Sequence, residues 1–236
     1  MNGVLYGIGV GPGDPDLLTL KACKALEKAD VICIPKSKME RESVALNIID
    51  KVIKNKPEIM ELFFPMTKDR EQLNRQWDEN TKQVVDLLAQ GKNVAVITIG
   101  DSMLYSTYGY IMKRVLKNYP EYKVETIPGI SSAFAFASQL NVVLAEEDEA
   151  LAIIPARKDR ASLKQDLENH ENLFLMKVAK NYDQILDLLQ EINFSGEAYL
   201  ISKGGHDDQI VTSNLEEWRG KELNYLSSIL LKKGAK

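Results

Sequence analysis

The chain has 236 residues, 44% hydrophobic and 27% charged, with 14 Gly and 8 Pro, an ordinary globular composition that suits one large or two small domains and excludes a disordered or collagen-like chain. Its 30 Lys and Arg stand against 34 Asp and Glu, a formal net charge of -4, so no global positive field is available for a nucleic-acid backbone and no nucleic-acid partner is expected. No apolar run approaches the ~20 residues of a membrane span, and MNGVLYGIGVGPG lacks the charged start and long apolar stretch of a signal peptide, so a cytoplasmic protein without a membrane partner is expected.

Val4 to Val10 reads as a strand, Gly11-Pro12-Gly13-Asp14-Pro15 as a tight loop, and Leu17 to Ala29 as a helix. Strands follow at Val31 to Pro35 and Ile59 to Phe64, with a helix from Ser43 to Ile53 between them. Leu73, Trp77, Val84 and Leu88 share one face of a third helix that stops at Gly91. A strand at Val94 to Ile99, a helix at Tyr108 to Asn118 and a strand at Lys123 to Ile127 complete an alternation that implies a parallel sheet covered by helices on both faces. Beyond it come a small-residue helix, Ala133 to Leu140, strands at Leu151 to Ile154 and Leu173 to Val178, and a helix around Tyr182 to Glu191. The last strands, Ala198 to Ser202, Gln209 to Thr212 and Tyr225 to Leu231, have no room for helical crossovers, so the second sheet should be mixed. The expected fold is α/β, with two α/β domains at residues 1–130 and 131–236 and a ligand cleft between them.

Cys23 and Cys33 form no Cys-x-x-Cys pair, and His170 and His206 are the only histidines, so neither a zinc site nor a Ser or Cys triad is expected. The chemistry that remains belongs to a bound cofactor and to positioning. The loop Gly7-Ile8-Gly9-Val10-Gly11-Pro12-Gly13 does not fit the Gly-x-Gly-x-x-Gly dinucleotide pattern. Counted from Gly7 the third glycine falls at Pro12, and counted from Gly9 it falls at Asp14; proline has no N–H to offer a pyrophosphate, and a carboxylate repels it. No Gly-Lys-Ser/Thr follows, which excludes a P-loop. Two other small-residue loops, GDSMLYST from Gly100 to Thr107 and Pro128-Gly129-Ile130-Ser131-Ser132, follow the predicted strands Val94 to Ile99 and Lys123 to Ile127. Ligands of parallel sheets bind beyond the carboxyl ends of the strands, so the three loops should converge on one site.

In order, these loops resemble the tetrapyrrole (corrin/porphyrin) methyltransferase family. The resemblance is carried by GVGPGDP with LLTLKA (Gly9 to Ala22), by GDSMLYST, by IPGISSAFA (Ile127 to Ala135) with LAEEDEALAIIPA (Leu144 to Ala156), and by LFLMKVAK (Leu173 to Lys180). Within the family the chain is most similar to the members that methylate C20 of precorrin-2 or cobalt-factor II in cobalamin synthesis. Ser102 stands where the family's Gly-Asp-Pro motif has proline, and Ile201-Ser202-Lys203-Gly204-Gly205 stands where relatives often carry an arginine-containing strand end. A same-fold methyltransferase for another substrate, or a nucleotide-sensing module without catalysis, is the competing reading.

The resemblance implies S-adenosylmethionine as cofactor, S-adenosylhomocysteine as product, a tetrapyrrole substrate and a homodimer. By position it assigns the cofactor to Gly100, Asp101, Met103, Leu104, Ser131, Ser132, Met176, Lys203 and Ser228, with no metal ligand; Met176 fits a core position equally well. The N-terminal domain would present Gly11, Pro12 and Gly13 to the tetrapyrrole and supply part of the cofactor site, which the second domain completes. Lys36, Lys38, Arg41 and Arg70 follow first-domain strands and are candidates for the substrate carboxylates. Asp14 is the candidate catalytic residue, taking the C20 proton or orienting a pyrrole N–H; a helix N-cap before Pro15 is an equal alternative.

Overall fold

The three inner strands of the first domain are apolar at nearly every position because each buries both of its faces. In β1 (Val4–Gly9), β2 (Val31–Lys36) and β4 (Val94–Thr98) the side chains alternate between two cores. Tyr6, Ile8, Ile32, Ile34, Ala95 and Ile97 pack against α1 (Leu20–Leu26) and α2 (Val44–Ile49). Leu5, Val31, Cys33, Val94 and Val96 pack with residues of α3 (Arg70–Ala89) and α4 (Tyr108–Asn118). This period of two, read on both faces at once, produces unbroken apolar runs in place of an alternating pattern. With β3 (Glu58–Phe63) and β5 (Lys123–Ile127) the sheet has the order β3-β2-β4-β1-β5, all parallel. The computed structural model describes residues 2–36, 43–55, 57–206 and 208–234. The chain divides into two compact units, Met1–Ser131 and Ser132–Lys236.

The second unit is a mixed sheet, as expected. β6 (Leu151–Pro155) and β7 (Asn172–Met176) pair in parallel, whereas β10 (Ser227–Lys233), β8 (Gly196–Ser202) and β9 (Ile210–Thr212) add antiparallel, in the order β6-β7-β10-β8-β9. On one face Leu173, Leu175, Leu200, Ile229 and Leu231 cluster with residues of α6 (Arg160–Asn169) and α7 (Tyr182–Glu191). On the other, Phe174, Ile201 and Leu230 cluster with Ala133 and Phe136 of α5 (Ser132–Leu140).

Three of the departures from the sequence expectation have a local cause. The helix expected from Leu17 is two elements: a 3-10 turn, Pro15–Leu17, capped by Asp14, and α1 starting at Leu20, capped by Thr19 Oγ1 accepting the Ala22 N–H at 3.1 Å. Leu18 between them is extended, so two successive N-caps divide one apolar run. Helix α6 was not expected, because only Leu163 and Leu167 bury fully apolar side chains in it; its signal is Asp159, whose Oδ2 accepts the Ser162 N–H at 2.8 Å. β10 starts at Ser227 rather than Tyr225, because Asn224 Oδ1 accepts the Leu226 N–H at 2.8 Å and holds the chain in a turn there. Among the described residues no helix is long and apolar enough to cross a membrane.

Candidate functional site

The strand order places β4, β1 and β5 side by side, so their C-terminal loops emerge together at one edge of the sheet. The loops after β1 and β4 lock through their backbones. Gly11 and Gly100 form a bridge, with the Gly100 N–H donating to Gly11 O at 2.7 Å and the Gly11 N–H to Gly100 O at 3.3 Å. A Cβ on Gly129 would lie 2.2 Å from Gly100 O and 2.6 Å from the Gly9 carbonyl carbon, and one on Gly9 would lie 2.6 Å from Gly100 O. No side chain fits at either position, which is why glycines stand there. Gly100 itself is buried with φ +72°, and a Cβ there would meet only Ile130 O, at 4.0 Å. The space beside its Cα is unfilled.

Asp101 ties two of these loops, its own after β4 and the one after β5. Its Oδ1 accepts the Met103 N–H at 2.8 Å and its Oδ2 the Gly129 N–H at 3.0 Å. Ser102, wholly buried, donates from Oγ to Ile127 O at 2.9 Å, a bond that the proline of the family motif has no group to make. Met103 is exposed, Leu104 half-buried, and Tyr105 adopts a left-handed backbone at φ 52°. Such a conformation in a non-glycine residue is strained and is held by its surroundings. Behind the loops Tyr108 fills the space over Gly7, where a Cβ would lie 1.9 Å from its ring, and its hydroxyl pairs with Thr126 Oγ1 at 2.8 Å. Burial pushes the Tyr108 phenol above its ordinary range, so it is neutral.

The candidate residues of the first loop are placed differently from one another. Gly11, Pro12 and Gly13 are buried and Asp14 is half-buried. Asp14 Oδ1 accepts the Asp16 N–H at 2.9 Å as the cap of the 3-10 turn, which is the cap geometry anticipated for it. Ser131 is buried and Ser132 opens α5.

Within the second unit, Met176, Ser228 and Lys203 come to one end of the sheet. Met176 closes β7 and pairs with Ser228 at the start of β10, while Lys203 follows Ser202, which pairs with Ser227. The Ser227 and Ser202 hydroxyls, both wholly buried, bond at 2.8 Å. Lys203 and Lys177, which directly follow β8 and β7, both adopt left-handed backbone, at φ 52° and 59°. Gly204 lets α5 approach this turn, since a Cβ there would lie 1.9 Å from the Phe136 ring. The Lys203 ammonium is paired with Asp208.

The candidate cations separate clearly. Lys36 holds both Glu61 oxygens, at 2.6 and 2.7 Å, whereas Lys38 and Arg41 lie outside the described residues. Arg70 opens α3 and lines a pocket of about 530 Å³ with Phe64, Lys68, Trp77, Thr107 and Tyr110. The sequence reading took Trp77 only as part of a helix face and did not single out Lys68 or Tyr110. The signal for them is position: residues 64–70 follow β3, and Thr107 ends the loop that begins at Gly100.

The comparisons with known proteins agree with this geometry. Residues 4–218 match the family model described as Tetrapyrrole (Corrin/Porphyrin) Methylases. The chain is 38% identical to a probable cobalt-precorrin-2 C(20)-methyltransferase of Methanocaldococcus jannaschii, covering 97% of this chain and 96% of that one. It is 32% identical to the cobalt-precorrin-2 C(20)-methyltransferase of Salmonella typhimurium over 99% and 98% of the two chains. It is 30% identical to the precorrin-2 C(20)-methyltransferase of a Sinorhizobium species over 97% and 95%. Among solved structures, a cobalt precorrin-4 methyltransferase superposes with a TM-score of 0.72 at 23% identity, over 97% of this chain and 94% of that one. A Thermus thermophilus uroporphyrin-III C-methyltransferase complexed with S-adenosylhomocysteine gives 0.68 at 19% identity, over 98% and 92%. Both share the fold.

Proposed function

The chain belongs to the tetrapyrrole (corrin/porphyrin) methylases, and we propose that it transfers a methyl group from S-adenosylmethionine to C20 of a reduced tetrapyrrole, precorrin-2 or cobalt-factor II, in cobalamin synthesis. Three relatives at 30–38% identity over nearly their whole lengths carry the C(20)-methyltransferase name. The observation that carries the reading is the junction of Gly9, Gly100 and Gly129 at the ends of three adjacent strands, with Asp101 bonding the loop after β4 to the loop after β5. It builds a rigid, small-residue backbone surface with unfilled space beside the Gly100 Cα, which suits the polar edges of a nucleoside.

In this reading the cofactor contacts are Gly100, Asp101, Met103, Leu104 and Ser131 from the first unit, and Ser132, Met176, Lys203 and Ser228 from the second. The bound sulfonium supplies an already activated methyl group. The protein therefore has to align carbon, methyl and sulfur and hold them there, an effect that can supply ~7 to 11 kcal/mol of the barrier. Asp101 acts by fixing the loop: both of its oxygens already accept backbone N–H groups. Gly11, Pro12 and Gly13 face the macrocycle, and the free oxygen lone pairs of Asp14 accept the C20 proton or orient a pyrrole N–H. Of the two proposed carboxylate contacts, Arg70 is available, and Lys36 reaches substrate only by leaving Glu61. A homodimer in the cytoplasm belongs to the same proposal.

Incubating the protein with S-adenosylmethionine and either precorrin-2 or cobalt-factor II tests it. Mass spectrometry should find one added methyl group on at least one of the two. No methylated product from either would remove the assignment.

A further inference from the structure

The pocket beyond β3 meets the loop that starts at Gly100 only at Thr107. Its walls are apolar and aromatic, Phe64, Leu73 and Trp77, and its cations are Lys68 and Arg70. Trp77 is held in place from α4: it stacks on Tyr110 with ring centroids 3.9 Å apart and 7° between planes, and the Arg114 guanidinium lies 5.1 Å from its centroid. Arg114 is itself fixed by Asp78 Oδ1 at 2.6 Å and Asn74 Oδ1 at 3.0 Å. The aromatic wall is thus preorganised. Asp69, between the two cations in sequence, forms an ion pair with neither; its Oδ1 accepts the Glu71 and Gln72 N–H groups at 2.9 and 3.3 Å as the cap of α3. Among the described residues neither Lys68 nor Arg70 has an ion-pair partner, in contrast to Lys36 and Arg114 in the same unit.

An apolar aromatic pocket with two unpaired cations matches an aliphatic arm that ends in a carboxylate: methylenes against Phe64, Leu73 and Trp77, the carboxylate between Lys68 and Arg70. At about 530 Å³ the pocket has room for the arm and the edge of the ring that bears it. Thr107 in its wall is the last residue of the loop that starts at Gly100 in the glycine junction, so one eight-residue loop touches both places. We infer that this pocket takes one carboxylate arm of the macrocycle and thereby fixes the ring's rotation, which decides the bridging carbon presented for methylation. The inference rests on the proposed tetrapyrrole substrate and adds the residues that set its regiochemistry.

The test uses the full chain with Trp218→Phe, which leaves Trp77 as the sole tryptophan, and uroporphyrin, a polycarboxylate tetrapyrrole, as probe. Uroporphyrin should quench Trp77, and Lys68→Gln or Arg70→Gln should weaken that binding by about tenfold or more each, the loss of one charge-assisted contact. Arg70→Lys should restore most of it. S-adenosylmethionine affinity, read by calorimetry, should stay unchanged. With the reduced substrate the double variant should show a raised KM and methyl groups on more than one bridging carbon. Unchanged quenching, or an unchanged KM with one unchanged product, would overturn the inference. A wild-type chain that binds uroporphyrin through these cations yet methylates no tetrapyrrole would sink the proposed function and leave the pocket standing.

Discussion

Asp101 bonds Met103 within its own loop and Gly129 in the loop after β5, the next strand but one, so its carboxylate helps to hold the glycine junction closed. Hydrogen bonds to a charged group contribute about 1.5 to 3 kcal/mol each. Asp101→Ala should weaken S-adenosylmethionine binding at least tenfold by calorimetry, and Asp101→Asn, which keeps one acceptor oxygen, should weaken it less. Equal wild-type affinity in both folded variants would take Asp101 out of the site. Asp14 is predicted to behave in the opposite way. Asparagine can still cap the turn at Asp16, so Asp14→Asn should fold and bind the cofactor normally while its methylation rate falls by roughly 10 to 1000-fold, the upper part of that range being typical of acid-base groups. A matching loss of cofactor affinity would contradict the separation of the two loops. The motif residues themselves were legible in the sequence. Asp101's bond to Gly129 was not, because the partner lies 28 positions away and pairing at that range depends on the order of strands in the sheet.

At the scale of elements, local chemistry read well wherever a single signal acted. The long face of α3, the strands of the parallel sheet and the short antiparallel strands at the end of the chain all followed from periodicity and spacing. Errors arose where two signals competed. Leu17 and Leu18 continue the apolar run of α1, yet Asp14 and Thr19 each cap a separate start. In α6 the caps were present and the apolar face was thin. The loops after β4, β1 and β5 are coupled elements, and glycine at their contact is required by space. Gly129→Ala places a Cβ 2.2 Å from Gly100 O, a clash with backbone that only a shift of the loops relieves. The variant should lose cofactor binding by tenfold or more in calorimetry, with a lowered melting temperature. Wild-type binding in Gly129→Ala would show that the three loops need not meet.

For the whole molecule, both sheet types were legible, because crossover length alone separates parallel from antiparallel pairing. Net charge was a poor guide to the substrate. An acidic chain still gathers Lys68 and Arg70 at one pocket, and the residues that build it, Phe64 to Trp77 and Thr107 to Tyr110, come together only once α3 packs on α4 beside the ends of β3 and β4. The family resemblance points to the proposed cofactor loops by their motifs, whereas the pocket has no motif to be recognised by. The central claim concerns a single carbon atom. Precorrin-2 and cobalt-factor II should each be incubated with S-adenosylmethionine carrying a carbon-13 methyl, and the product examined by carbon NMR. The account predicts one labelled methyl group, on C20; labelling at another carbon of the macrocycle, or none at all, would contradict it.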